Sequence, residues 1–357
     1  MTLAAVGARD RVALAGPVPV ATVDARGAVY TDTDATTIVT SAIQASATPV
    51  PFLTVNGQYL IDVVTSASVD VVSAATPEFS DIRHEGTGGI GYHDDDRSIS
   101  GTYIYSVEND WRSHTGALSM SHDALQHRLT VSLGGSFTYN EVGRSGDANF
   151  DERLLQGSVT LGTTVVASRD DLLGLTYSFF YLDGYQASPY RFVRFFDTLD
   201  NAAVSKPETD PEQRSRHALA GRWNHHILGR SAVRSAARAY VDSWGVASGT
   251  GSVEVMFGVG DFEIAPWVRL YGQKSATFYQ GTYQQALRYM TVDRELSTFL
   301  DVFGGLRAGL RKKDMGVVEE LRVDLELTGF YFKFFDFPLL EERGGFLGQL
   351  GLGLSFE

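Results

Sequence analysis

The strongest constraint on the fold of this chain is a strict alternation of polar and apolar residues in the segment 319–331. Four charged residues alternate there with four aliphatic ones, in the order Glu320, Leu321, Arg322, Val323, Asp324, Leu325, Glu326 and Leu327. A period of two residues is that of a β-strand, whose successive side chains point to opposite faces. The segment is therefore predicted to be a strand with one charged and one apolar face.

The same period recurs along the chain, and this repetition separates a barrel in lipid from a soluble β-sandwich. The segments 126–140, 231–244, 262–278 and 345–356 each place aliphatic or aromatic residues on one face and polar residues on the other. In each case the polar face is too charged for an ordinary soluble core, so we place lipid outside and water inside. No stretch reaches the roughly 18 to 20 continuous apolar residues that a membrane helix requires, so helical spans are excluded.

The lengths of the connections set the expected number of strands. The short links are 94–96, 168–170, 228–230, 258–261 and 312–314, and the long ones are 66–80, 141–151, 186–213, 280–294 and 334–344. Short periplasmic turns and long extracellular loops alternate in this way in outer-membrane barrels, which have an even number of strands. About fifteen strands are visible, and the alternation requires one more before them, for which 18–30 is the candidate although Pro17 and Pro19 weaken it.

We therefore predict an all-β fold, a transmembrane antiparallel up-and-down β-barrel of about 16 strands, with 14 as the alternative. The barrel is expected to occupy residues 17–357 as a single domain. In the segment 1–16, Arg9, Asp10 and Arg11 interrupt the apolar core that a secretory signal needs. We expect 1–16 to be the remnant of an export signal or a disordered segment.

Composition excludes several classes of function. The chain has no cysteine, which excludes disulfides, thiolate metal sites and cysteine nucleophiles. The net charge of −13 offers no broad basic surface for phosphate backbones, so we expect no nucleic acid partner.

An ordered set of local motifs resembles a known family. The motifs are VVTSASVDVVS at 63–73, RHE at 83–85, YSVENDW at 105–111, ASPYR at 187–191 and DRELS at 293–297. From residue 36 to the C-terminus, the chain is similar to a widespread family of Gram-negative outer-membrane barrels that carries only a domain-of-unknown-function label. The resemblance implies a barrel in the outer membrane of a Gram-negative bacterium, in contact with outer-membrane lipid, and it implies no substrate.

With the apolar faces toward lipid, the charged faces line the lumen, and neighbouring strands offer opposite charges. The predicted lumen and selectivity residues are Arg216, Arg222, Arg234, Arg238, Asp242, Glu263, Arg269, Asp301, Arg307, Glu320, Arg322, Asp324 and Glu326, and Glu254 shares this face. Charged residues in a pore set its ion selectivity. The alternative is a lumen cross-linked by ion pairs that stiffen the wall or nearly close it.

The loop 186–213 contains an aromatic and basic run in which Tyr190, Arg191 and Arg194 are candidates for binding an anionic ligand, since loops often carry function. The competing interpretation is a packed extracellular loop. The run 293–295 is expected to form a local ion pair and not a site.

The sequence predicts no metal site, no cofactor and no enzyme activity. The acidic runs 32–34 and 94–96 lack the spacing of a calcium loop and are expected to be solvated turns. His225 and His226 point to opposite faces of a strand, so they cannot chelate one metal together and only one should reach the lumen. No G-x-S-x-G motif is present.

Two functions stay open at this point. The first is a porin-like channel for small hydrophilic solutes or ions through a mixed-charge lumen. The second is an occluded outer-membrane barrel that acts as a scaffold or interaction partner for another envelope component. The choice depends on whether the loop 186–213 enters the barrel. Neutralising Arg234 or Arg238 is predicted to alter selectivity in a channel and only stability in a scaffold.

Overall fold

The structure is a computed structural model that describes residues 21–66, 79–197 and 202–356. Its first nine strands are β1 (Ala21–Asp32), β2 (Thr36–Val50), β3 (Leu53–Ser66), β4 (Phe79–His93), β5 (Arg97–Val107), β6 (Trp111–Ala124), β7 (Leu129–Val142), β8 (Glu152–Val166) and β9 (Asp171–Gly184). The others are β10 (Phe192–Asp197), β11 (Ala202–Pro207), β12 (Gln213–Leu228), β13 (Ser231–Asp242), β14 (Ala247–Val259), β15 (Phe262–Lys274), β16 (Phe299–Met315), β17 (Val318–Phe334) and β18 (Glu342–Phe356).

Helical structure in these ranges amounts to one short 3-10 helix, Arg294–Leu296. No helix among the described residues is both long and apolar enough to cross a membrane. The segment 1–16, for which we expected a signal remnant or disorder, lies outside the described residues, as do Pro17 and Pro19.

Sixteen strands close into a single antiparallel barrel. Pairing follows chain order from β1 to β9 and from β12 to β18, and β18 returns to β1 along a register from Ala21–Phe356 to Asp32–Gly345. The predicted sixteen-strand barrel is confirmed, and the fourteen-strand alternative is wrong. Closure leaves the barrel without a sheet edge, which is the condition for a sheet to span lipid.

The hairpin β10–β11 is not part of the barrel wall. It is inserted between β9 and β12, which pair directly with each other. The loop predicted over 186–213 therefore contains regular structure of its own.

The two ends of the barrel differ in the length of their connections. At one end the turns are 51–52, 94–96, 125–128, 167–170, 229–230, 260–261 and 316–317. Long connections, among them 143–151, 185–212 and 275–298, lie at the other end. By the rule for outer-membrane barrels, the first end is periplasmic and the second extracellular.

Local sequence accounts for the tightest turns. Gly229 and Gly260 are the first residues of two-residue turns and have φ of 61° and 59°. This backbone conformation favours glycine in hairpins. The predicted turn at 312–314 is wrong, because β16 continues to Met315 and the turn follows at Gly316. The polar run 312–314 misled the interpretation, since strands extend beyond the membrane into water at their ends.

The charged face of the strands is the inner face of the barrel. Arg307 on β16 contacts Glu254 on β14 across β15, and Arg322 on β17 contacts Asp24 on β1 across β18. Side chains from non-adjacent strands converge in this way on the concave side of a curved sheet. The opposite face exposes large apolar side chains, such as Leu118 at 70%, and is the face that meets lipid.

The outer face also carries aromatic residues toward its extracellular end. Three cross-strand pairs there join a tyrosine hydroxyl to a histidine Nδ1, namely Tyr59–His84 at 2.8 Å, Tyr103–His114 at 2.7 Å and Tyr177–His217 at 2.8 Å. Aromatic girdles with a polar tip are typical of the membrane–water interface. These pairs are consistent with a membrane boundary at this level.

Candidate functional site

The register places every predicted lumen residue on the inner face of the barrel. Arg216 lies opposite Asp242, Arg234 opposite Glu254, and Arg307 opposite Glu326. The predicted opposition of charges on neighbouring strands therefore exists in the wall. That these residues set selectivity stays a prediction.

An ion-pair network crosses the inner wall from β13 to β17. Arg234 Nη1 lies 2.9 Å from Glu254 Oε1, and Arg307 donates to the other oxygen of Glu254. Arg307 Nε also lies 3.0 Å from Glu326 Oε2, and its guanidinium lies 5.1 Å from the centre of the Trp267 ring. Glu254 is thus shared by two arginines, which ties four strands together.

Two further pairs hold charges against the same half of the wall. Arg322 Nη2 lies 2.9 Å from Asp24 Oδ1, which links β17 to β1. Arg269 Nη1 lies 3.2 Å from Asp301 Oδ1, which links β15 to β16. Long charged side chains on this half are therefore directed along the wall by their partners.

Asp242 is the acceptor of a separate cluster near the extracellular rim. Its Oδ2 accepts two donors of the Arg214 guanidinium, one of them at 2.8 Å, and the hydroxyl of Tyr240 at 2.8 Å. Its Oδ1 accepts the backbone N–H of Trp244 at 3.0 Å and of Val246 at 2.9 Å. Arg214 was not predicted as a lumen residue, although its position two residues before Arg216 places both on the same face of β12.

Arg216 and Arg238 have no carboxylate partner among the described residues. Arg238 is exposed, and its guanidinium lies 5.4 Å from the centre of the Tyr240 ring. The Nε of Arg216 is buried without a hydrogen-bond partner in the described part of the chain. Arg234, in contrast, pairs with Glu254. Neutralising Arg234 and neutralising Arg238 are therefore not equivalent tests of ion selectivity.

The inner face of β5–β9 has a different chemistry, and we call it the hydroxyl wall. It consists of Ser98, Ser100, Thr102, Ser106, Ser113, Thr115, Ser119, Ser121, Thr130, Ser132, Ser136, Thr138, Ser158, Thr160, Thr164, Thr176 and Ser178. Among the described inner-face residues of these strands, Asp123 and Glu152 are charged, and each lies near a strand end.

Hydroxyls of the hydroxyl wall bond to each other across strands. The pairs are Ser98–Ser121 at 2.8 Å, Ser100–Ser119 at 2.7 Å, Thr115–Thr138 at 2.8 Å and Ser136–Ser158 at 2.7 Å. Each hydroxyl has one donor and two acceptor sites, so a pair that forms one bond keeps one donor and three acceptors. These side chains are also partly exposed. The wall therefore offers an uncharged hydrogen-bonding surface to the lumen.

An aromatic cluster fills part of the inner face toward the extracellular end of β15–β18, β1 and β2. It comprises Tyr30, Ile38, Phe299, Phe330, Phe332, Phe334 and Phe337, all buried. Tyr30 stacks on Phe330 with ring centres 5.2 Å apart, and the buried Arg343 lies 4.3 Å from the centre of the Phe332 ring. This cluster was not predicted from the sequence, although Phe330 and Phe332 continue the alternation that begins at Glu320. The lumen is therefore not charged all round.

The described residues of the two longest extracellular loops pack against each other, and we call residues 185–197, 202–212 and 275–298 the cap. Val193 and Phe195 of the hairpin β10–β11 pack with Tyr283 and Met290 in a buried cluster. Thr209 and Met290 exchange backbone hydrogen bonds at 3.0 Å. The described part of the loop 185–212 is therefore a packed structure, as the competing interpretation of this loop expected.

Arg191 is the ionic link between the two halves of the cap. Its Nη1 lies 3.2 Å from Glu208 Oε2 and 3.0 Å from Asp293 Oδ2. The other oxygen of Glu208 accepts Thr291 Oγ1 at 3.0 Å and the backbone N–H of Val292 at 2.7 Å. Arg191 thus serves the packing of the cap in this structure.

Tyr190 links the cap to other extracellular connections. Its hydroxyl donates to Asp110 in the β5–β6 turn and accepts the backbone N–H of Ser145 at 2.7 Å. Arg194 is exposed on β10. The structure therefore does not bring Tyr190, Arg191 and Arg194 together around one ligand position.

Two expectations for charged runs are wrong. Arg294 was expected to pair locally, but it pairs with Asp34 in the β1–β2 turn, 260 residues away in sequence. Asp34 was expected to be solvated, but it is buried. The turn at Asp94 is exposed as predicted, and its Oδ1 accepts the backbone N–H of Asp96 at 3.0 Å and of Arg97 at 2.8 Å.

The contacts of the cap join connections that lie far apart around the extracellular opening of the barrel. Four strands separate the β5–β6 turn from the β9–β12 loop, four separate that loop from the β15–β16 loop, and four separate the latter from the β1–β2 turn. Four strands are a quarter of this barrel. The links through Tyr190, Arg191 and Arg294 therefore reach across the mouth and not merely along its rim.

The carboxyl groups of the cap have shifted pKa values. Burial, followed by the charges of Glu208 and Asp293, raises the pKa of Asp210 to about 7. Burial likewise raises the pKa of Glu208 above its usual value. Burial also acts to raise the pKa of Asp293, but the charge of Arg191 and the N–H of Glu295 outweigh it and hold that pKa below its usual value.

A pair of histidines and a cluster of three carboxylates have side chains that could bind a metal, but these side chains make other contacts. His225 Nδ1 lies 2.9 Å from Asp171 on the outer face, and His226 Nδ1 lies 3.1 Å from Asp170 beside the periplasmic turn. Asp81, Glu108 and Asp110 bring carboxylates within 4.8 Å of one another. Asp81 accepts the backbone N–H of Ile82, and Asp110 accepts the hydroxyl of a cap residue. An acidic cluster of this kind does not define a metal site.

Comparison with solved structures defines the class. The chain is similar to the "Bacterial polysaccharide outer membrane secretin", with 10% identity, a TM-score of 0.53, and coverage of 95% of this chain and 99% of that one. It is similar to CdiB from Acinetobacter baumannii, with 8% identity, a TM-score of 0.52, and coverage of 95% and 60%. OprD from Pseudomonas aeruginosa matches with 9% identity, a TM-score of 0.48 and coverage of 94% of each chain. The first two show that the fold is that of outer-membrane β-barrels.

Within this class, the chain belongs to the family described as "Protein of unknown function (DUF3570)". The family model matches residues 21–156 and 147–326. The resemblance read from the local motifs is confirmed. No curated protein matches the chain.

Proposed function

We propose that this protein is a non-enzymatic channel of the Gram-negative outer membrane, through which small hydrophilic solutes or ions pass along a mixed-charge lumen. The observation that carries the proposal is the hydroxyl wall, because its side chains are short and partly exposed to the lumen. A barrel of sixteen strands is wide enough to enclose an aqueous interior.

The arrangement of the charged half supports the same function. Ion pairs such as Arg234–Glu254 and Arg322–Asp24 direct long side chains along the wall. Most inner-face side chains of β5–β9 are the short ones of the hydroxyl wall, with Ile104, Gln156 and Phe180 as larger side chains between the strand ends. A path for water and small solutes is therefore expected beside the hydroxyl wall, with fixed charges on its other side.

The cap favours a second function, an occluded barrel that serves as a scaffold or partner for another envelope component. The contacts of the cap across the extracellular opening of the barrel oppose free passage of solutes. The outer surface of the cap exposes Arg194 and Phe196 to such a partner. In this alternative the cap is a permanent closure. In the channel it is a restriction that leaves a path at the hydroxyl wall.

Single-channel conductance of the purified protein in a planar lipid bilayer tests the proposal. We expect discrete steps from the full chain, and larger steps when residues 192–207 are replaced by a short Gly-Ser linker. The barrel should persist in that variant because β9 and β12 pair directly. Silence of both proteins, when each is shown to be folded and inserted, would overturn the channel and favour the scaffold.

A further inference from the structure

Two of the arginines on the inner face of the adjacent strands β12 and β13, Arg216 and Arg238, form what we call the basic strip. Arg216 lies near the extracellular rim, opposite Asp242, while Arg238 lies near mid-height. Arg238 is four residues below Asp242 on β13, which corresponds to roughly 13 Å along a strand. The strip therefore extends from the rim to the middle of the barrel.

The acids nearest to the basic strip are occupied by other cations. Asp242 binds the guanidinium of Arg214 through two hydrogen bonds. Glu254 is shared by Arg234 and Arg307. No carboxylate among the described residues pairs with Arg216 or Arg238, so this part of the wall has an uncompensated positive charge.

The neighbours of Arg238 leave its charge accessible to the lumen. Arg238 is exposed and lies between Ala220 and Thr250 in the register. These short side chains do not cover a guanidinium, whereas Arg216 is partly buried. The hydroxyl wall begins at β9, the strand directly beside β12, so an uncharged polar surface adjoins the positive one.

We infer that the basic strip is an anion-binding track and that the solutes of this channel are small anions that carry carboxylate or phosphate groups. The inference rests on the proposed channel and names its substrate class. Guanidinium groups bind both oxyanions through paired hydrogen bonds. The hydroxyl wall would solvate the uncharged part of such a solute. Arg216 and Arg238 are separated by roughly 13 Å along the strands, which exceeds the Debye length of about 8 Å at physiological salt. An anion therefore meets two separate, weak binding positions, one at the rim and one at mid-height, and can be released from each.

Reversal potentials in a KCl gradient across bilayers that contain the full chain test this inference. We expect chloride to permeate better than potassium in the wild type. The double variant R216Q/R238Q should lower the chloride-to-potassium permeability ratio at least about sixfold, the effect that one unit charge roughly 8 Å from the path has in water on two ions of opposite sign. Inorganic phosphate added to one side should reduce the chloride current of the wild type and have less effect on R216Q/R238Q.

The matched control is R112Q/E141Q, which removes an arginine together with its carboxylate neighbour on the outer face of the barrel and leaves the charges of the lumen unchanged. We expect this control to keep the wild-type ratio. A conducting wild type that prefers potassium, or an equal loss of preference in the control, would overturn the anion track and leave the channel intact. Absence of conductance from folded, inserted protein would instead contradict the channel itself and the inference that rests on it.

Discussion

At the scale of single residues, Glu254 has the most demanding position in the inner wall. It is buried and accepts both Arg234 and Arg307, whose side chains are 44% and 42% exposed. Removal of its charge leaves Arg234 unpaired, whereas Arg307 retains Glu326. Because solvent screens both arginines, the cost is modest in spite of the buried carboxylate.

We therefore expect Glu254→Gln to lower the free energy of unfolding by about 1 kcal/mol. The measurement is the urea midpoint at which the folded barrel loses its distinct gel mobility in lipid vesicles. Glu263→Gln is the control, since Glu263 lies on the same inner face and has no ion pair among the described residues. An equal shift in both variants would show that the shared carboxylate adds nothing specific.

Asp210 gives the cap a dependence on pH. In the packed cap its pKa is about 7, against 3.8 for an unperturbed carboxyl, and its Oδ1 has no hydrogen-bond partner in the described residues. The packed form thus retains a proton that an unpacked loop loses. Packing is therefore most stable at low pH, weakens as the pH rises from about 4 to about 7, and changes no further above that.

A nitroxide attached through Ser205→Cys reports on this packing, because the chain has no other cysteine. We expect the label on β11 to be more mobile at pH 8 than at pH 5 in electron paramagnetic resonance spectra. The Asp210→Asn background should remove most of that difference, since its side chain does not titrate. A label whose mobility rises toward acid pH would contradict the assignment.

At the scale of elements, the cap is held together by a small set of specific contacts between its two halves. Its two halves are joined by Arg191, by the cluster around Val193, and by backbone bonds between Thr209 and Met290. Loss of the Arg191 charge would leave Glu208 buried without its cation, which costs more than the loss of an exposed pair.

We expect Arg191→Gln to loosen the cap and to speed tryptic cleavage after the exposed Arg194 several-fold while the barrel stays intact. Mass spectrometry of the fragments over time measures the effect. Arg169→Gln, in an exposed periplasmic turn, serves as the control and should leave the rate unchanged. If the two variants are cleaved alike, Arg191 does not hold the cap.

The strands were predictable from sequence because each one alternates within itself. The strand β17 shows this best, since Glu320 to Glu326 identify its inner face without knowledge of any partner. The cap was not predictable in the same way. The nearly continuous apolar run at 192–196 conceals the period of β10, and the pair Arg294–Asp34 joins residues 260 positions apart.

The candidate site was predictable only in part, for a related reason. Alternation indicates which charges face inward, but it does not indicate which carboxylate pairs with which arginine. Arg234 and Arg238 lie on the same face of the same strand, yet one has Glu254 as a partner and the other has none among the described residues. Register between strands makes this distinction, and the local pattern does not contain it.

At the scale of the whole molecule, the lumen has two chemically distinct sides. The strands β5–β9 present hydroxyl groups, while β12–β18 and β1 present ion pairs, the basic strip and, toward the extracellular end, the aromatic cluster. Sixteen strands, their order and the lipid-facing surface follow from the alternation and the loop lengths. The division of the lumen into two sides follows from which residue types occupy the inward positions of each strand.

A barrel of this kind has an outer surface in lipid and a water-filled interior, and the reactivity of single cysteines along β6 distinguishes these two faces. The chain has no native cysteine, so each substitution reports one position. In protein folded into lipid vesicles, we predict rapid reaction of a charged, membrane-impermeant maleimide with Ser119→Cys and Ser121→Cys, and slow reaction with Leu118→Cys and Met120→Cys. Equal reaction along the strand, or faster reaction at Leu118→Cys and Met120→Cys, would contradict the account.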